Sequence, residues 1–157
     1  MAEKKSVAER VMETALPVAE QFGLTVWDVF YGKEGRDTVM RITIDKPEGI
    51  GIADCEQMSR TVDPLLDAMD LTNVPYRFEV SSPGLGRKIH SPRQFELWKD
   101  KPVIVRLVRE DEDHVREYKG TLAESSYDSF SVITETGNRT FLKSAVAYVK
   151  ADDDNDI

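Results

Sequence analysis

The apolar positions of this chain change texture partway along it. Val7, Val11, Ala15, Val18 and Phe22 recur at spacings of three and four, which places them on one stripe of an amphipathic helix. Gly23 is positioned to end that helix, and Pro17 predicts a kink within it. Residues 24–31 are apolar and β-branched, and 38–45 alternate with Met40, Ile42 and Ile44 on one side. Residues 32–36, with two glycines, join these runs as a hairpin. A second helix follows, with Gly51 as its cap and Asp54 in its first turn. Its buried stripe is Cys55, Met58, Val62, Leu65, Leu66 and Met69, and Pro64 predicts an offset last turn. Tyr76, Phe78 and Val80 then alternate with Arg77, Glu79 and Ser81, the period of a third strand. Helix–strand–strand–helix–strand is an α+β layer, three strands backed by two helices, over residues 1–83.

The strand stops abruptly. Pro83 lacks the N–H that a further ladder bond needs, and Gly84 admits the positive φ of a sharp turn. The run Ser91-Pro92-Arg93-Gln94 matches a helix start, with a Ser cap, Pro at the first position and Gln at the third. Residues 84–99 therefore read as an interdomain segment containing a short helix, 92–98. Beyond it come five short β-rich runs, 103–108, 118–122, 130–133, 140–142 and 146–149, separated by turns at 110–113, 125–129 and 136–138. Short strands with no intervening helix predict a small barrel or sandwich over 100–150, and closure into a barrel would remove exposed edges. The acidic run Asp152-Asp153-Asp154-Asn155-Asp156 predicts a disordered tail over 151–157.

Charge alters this picture locally. The 157 residues carry a formal net charge of -8, which excludes nucleic-acid binding driven by bulk charge. Residues 85–109 reverse the sign: Arg87, Lys88, Arg93, Lys99, Lys101, Arg106 and Arg109 face only Glu96 and Asp100. Screening acts over about 10 Å, so such a patch attracts phosphate in spite of a negative total. Arg87, Lys88, Arg93, Lys99 and Lys101 are the expected RNA-contacting positions, on or near the joint between the two domains. The acidic remainder suits docking on a basic protein.

Other chemistry is weak. Ser81 and Ser82, with His90 or His114 as base, lack the glycine-flanked elbow of a nucleophile and read as turn formers with Pro83 and Gly84. Cys55 is the only cysteine, so no intrachain disulfide forms, and its stripe position makes it a core residue. The acidic loop at 110–113 lacks the glycine and the spacing of a calcium loop and reads as a solvated hairpin tip. No nucleotide-binding glycine pattern is present, and neither a cofactor nor a metal is expected. The N-terminus carries no apolar signal core and no run approaches the roughly 20 residues of a membrane span, so a cytoplasmic, membrane-free protein is expected.

The string Tyr76-x-Phe78-Glu79-Val80-Ser81-Ser82-Pro83-Gly84-Leu85-x-Arg87 resembles the bacterial ribosome maturation factor RimP family, supported by Asp54-Cys55-Glu56, Ser59-Arg60 and Leu66-Asp67. The likeness covers residues 5–150 and departs at Gly86 and Lys88, where the family usually has Asp and Pro. It implies an N-terminal α+β domain, a C-terminal Sm-like β-barrel and no enzymatic activity. It also implies binding to the immature small ribosomal subunit, through its rRNA and a basic ribosomal protein near the decoding centre. Arg87 carries over as a contact or a hinge anchor. A monomer is expected. The competing expectation is a barrel-based adaptor for a protein or peptide, with no part in RNA binding.

Overall fold

The computed structural model describes residues 5–153. The chain divides into two compact units, Met1–Pro83 and Gly84–Ile157.

The first unit opens with α1, Val7–Gln21, whose start is set by a reciprocal cap. The Glu9 N–H donates to Ser6 Oγ at 3.1 Å, and the Ser6 N–H donates to the Glu9 carboxylate at 3.2 Å. Val11, Ala15, Val18 and Ala19 are buried, as the stripe requires, and the helix continues through the exposed Pro17 to Gln21. Strands β1, Thr25–Glu34, and β2, Asp37–Asp45, form an antiparallel hairpin around a two-residue Gly35-Arg36 turn. Both strands run further toward the turn than expected. A bulge between Val26 and Asp28 lets the adjacent Val26 and Trp27 both be buried.

Helix α2, Ile52–Met69, is capped from within: the Gly51 N–H donates to the Asp54 carboxylate at 2.9 Å. That bond and Lys46 hold the Asp54 carboxyl below its usual pKa. Met58, Val62 and Leu66 are fully buried, whereas Leu65 is exposed, contrary to expectation. At 100° per residue Leu65 lies about 60° from Val62, outside the other stripe members. Cys55 packs half-buried against the core, and burial raises its thiol pKa. Strand β3, Arg77–Ser81, pairs with β2 in parallel, so α2 is the crossover and the sheet order is β1-β2-β3.

The second unit contains α3, Pro92–Leu97, and five strands: β4, Pro102–Leu107; β5, Glu117–Ser125; β6, Ser129–Thr134; β7, Gly137–Leu142; and β8, Val146–Ala151. A short 3-10 turn, Lys143–Ala145, precedes β8. All neighbours are antiparallel, in the order β7-β6-β5-β4-β8. The expected closed barrel is not what this sheet forms. Among the described residues no ladder joins β7 to β8, and the sheet is open. Val103, Val105, Leu122, Phe130, Val132 and Val149 form its buried side, with Phe95 of α3 at 5.2 Å from the Phe130 ring. Gly120 on β5 lets β6 come close: a Cβ there would stand 2.3 Å from the Ile133 carbonyl oxygen. The loop at 110–113 is more than a solvated tip. The Asp111 carboxylate accepts from the N–H groups of Asp113 and Val115 and from the Tyr118 hydroxyl, which lowers its pKa.

The segment following Pro83 belongs to the second unit. Gly84 adopts φ +73°, the left-handed backbone expected of it. Residues 87–89 then run antiparallel to β8. The Ile89 N–H donates to Val149 O and the Ala151 N–H to Arg87 O, both at 2.8 Å, and Lys88 bridges Lys150. The free edge of β8 is thereby covered. The start of the acidic run is tied down as well: Asp153 accepts from the Gly86 N–H at 2.8 Å, and the Asp152 N–H donates to Pro102 O. Residues 154–157 of the expected tail lie outside the described residues.

Candidate functional site

The five expected RNA-contacting positions all lie in the second unit, and the fold divides them into distinct settings. Arg93 is the second residue of α3, half-buried, next to a cap of the anticipated kind. The Gln94 N–H donates to Ser91 Oγ at 3.1 Å, and the Gln94 side-chain oxygen accepts from the His90 and Ser91 N–H groups. Gln94 is buried, so this cap is an internal bolt for the segment that carries Arg87 and Lys88. Lys99 faces a carboxylate: its ammonium is 3.0 Å from Glu124, which raises its pKa.

Arg87 and Lys101 are brought together by an aromatic ring. The Arg87 guanidinium and the Lys101 ammonium each lie 4.8 Å from the centre of the Trp98 ring. Trp98 is buried and its indole N–H donates to Pro102 O at 2.9 Å, so the ring is held in place. A cation over an indole face is stabilised by about 0.5–2 kcal/mol.

Lys88 stands elsewhere. It lies opposite Lys150 across the bridge, and both ammonium groups are 5.6 Å from the Tyr148 ring centre. Lys143 similarly lies 4.4 Å from the Phe95 ring. Tyr148, Lys150, Trp98 and Lys143 were not among the residues singled out from the sequence. A signal existed for Trp98, which Lys99 and Lys101 closely follow in sequence. None existed for Lys150, which meets Lys88 only because the chain returns as β8.

The turn residues mark the passage between the units. Ser81 ends β3 opposite Thr43, Ser82 is exposed, and Pro83 and Gly84 carry the boundary. Among the described residues, no group of three or more His, Cys, Asp or Glu is placed to hold a metal, and no helix is long and apolar enough to cross a membrane.

The architecture is that of a two-unit α+β chain whose second unit presents cations on aromatic rings. Residues 14–86, from α1 through the turn after β3, match the family model described as the RimP N-terminal domain. The first unit is thus similar to the N-terminal domain of the RimP family.

Proposed function

We propose that this chain is a ribosome maturation factor that binds the immature small ribosomal subunit in the cytoplasm and assists its assembly without catalysis. The observation that carries this reading is the family match over residues 14–86. In this reading Arg87, Lys88, Arg93, Lys99 and Lys101 face small-subunit rRNA. The net charge of -8 suits the acidic remainder to a basic ribosomal protein near the decoding centre. The chain acts as a monomer in this reading. Two features support the cationic part: Arg87 and Lys101 are held on a fixed indole, and Lys88 is exposed. Of the five, Lys99 is the weakest candidate, because Glu124 already partners it.

The test is co-sedimentation of the full chain with small subunits and their precursors at low salt. Association is expected, and the R87E/K101E variant should weaken it by about ten-fold, with the difference shrinking as salt rises. Wild-type protein found solely in the ribosome-free fraction would overturn the reading.

A further inference from the structure

Resting on that reading, we infer that the outer face of β8 and the 87–89 segment is a phosphodiester site. There Lys88 and Lys150 take an RNA backbone phosphate between them and Tyr148 offers its ring to a base.

The geometry begins with the bridge. Its two flanking hydrogen bonds, Ile89 N–H to Val149 O and Ala151 N–H to Arg87 O, make Lys88 and Lys150 a non-hydrogen-bonded pair. That is the arrangement in which opposite side chains stand closest, with Cα atoms about 4.5 Å apart. Like charges at such positions destabilise a sheet. No carboxylate pairs with either lysine among the described residues, and the nearest compensation is the shared Tyr148 ring. An anion between the two ammonium groups converts this repulsion into attraction for both.

The row continues across the sheet. Lys150 is opposite Ile104 and Ile104 is opposite Lys119, so a third lysine follows in the row, its backbone two strand spacings, about 10 Å, from that of Lys150. Beside this row, Tyr148 is opposite Arg106, which reaches Glu117 at 3.7 Å. Three lysines in a line with one acid at the margin suit a chain of anions better than a single one. The aromatic ring between the first two decides which chain. A nucleic-acid strand has flat bases to lay on it, whereas an acidic peptide has none to offer. The Lys88 position thus belongs to a different surface from the Arg87–Lys101 pair on Trp98.

The experiment uses the full chain and a fluorescein-labelled oligouridylate of about 20 nucleotides, followed by anisotropy. Wild-type protein should bind it, losing affinity steeply between about 50 and about 200 mM salt. K88Q/K150Q should bind about ten-fold more weakly at the lower salt, with a salt slope shallower by about 1–2. Y148L should cost about five-fold. K33Q/R36Q makes the same charge change in the first unit and should bind as wild type. Removing a repelling pair should leave the melting temperature of K88Q/K150Q equal or higher, so weaker binding would not reflect unfolding. The inference is overturned if wild-type protein ignores the oligonucleotide. It is equally overturned if K33Q/R36Q loses as much as K88Q/K150Q, or if an oligo-aspartate of equal charge competes as well as RNA. Failure of wild-type protein to co-sediment with small subunits strikes the proposed function alone. Unchanged oligonucleotide binding by K88Q/K150Q strikes this site alone.

Discussion

The outer faces of the two sheets carry similar side chains and use them in opposite ways. On the first sheet, Arg41 forks onto Glu34 with two bonds of 2.7 Å and reaches Glu79 at 2.9 Å. Arg77 bonds the same Glu79 at 2.9 Å and Asp37 at 2.8 Å. Two guanidinium groups and three carboxylates close into one network, and the Glu34 and Glu79 pKa values fall because of it. On the second sheet, Lys88 and Lys150 share a tyrosine ring and, among the described residues, pair with no carboxylate. Cations consumed by their own fold hold strands together, while cations left on aromatic surface remain open to a partner. Counting Lys and Arg along the chain does not separate the two cases.

Breaking the second face at its scaffold should have the largest effect. Gly120→Ala drives a Cβ into the Ile133 carbonyl and the Val132 side chain, and should destabilise the second unit by about 3 kcal/mol. Amide hydrogen exchange should show β5 and β6 losing protection while β1 and β2 keep theirs; uniform loss would show that the two units unfold together.

A smaller effect is expected on the first face. Arg41→Ala should cost about 1 kcal/mol, read as earlier unfolding in urea, because it opens the network at its bidentate centre. Its pH dependence sharpens the point. Glu34 and Glu79 have lowered pKa values in the folded chain, so their contribution is complete above the unfolded carboxyl value of about 4.3 and is lost as pH falls through the folded values. Wild-type protein should therefore lose stability on acidification below about pH 4.3, and Arg41→Ala should lose less over the same interval. Identical slopes would remove the network from the account.

The smallest expected effect has the opposite sign. Lys150→Gln should stabilise the second unit by about 0.3 kcal/mol at low salt and by nothing measurable at high salt, since it relieves a repelling cross-strand pair. Destabilisation at low salt would mean that Lys150 is structural and the two faces are not the contrast described.

Much of this molecule was legible before its structure. The period-3.6 stripes located both long helices, and alternating or β-rich runs located all eight strands to within a few residues, because helical and strand preferences are written locally. Gly84 was legible as a left-handed turn and Ser91-Pro92-Arg93-Gln94 as a helix start for the same reason. Leu65 misled because stripe membership at the margin depends on where the neighbouring layer ends. The Asp111 loop misled because its partner Tyr118 lies on the following strand. The open sheet was not legible at all: strand number does not state whether the last strand returns to the first.

What the sequence by itself determined is the element order, the two core stripes, the sharp stop at Pro83-Gly84 and the presence of concentrated positive charge beyond it. Each follows from residues within a few positions of one another. Only the tertiary structure decided which cations are spent. Lys99 meets Glu124, Arg87 and Lys101 meet over Trp98, and Lys88 meets Lys150 across 62 positions of chain. Electrostatic partnership acts over a few ångströms through space, and sequence distance carries no record of it.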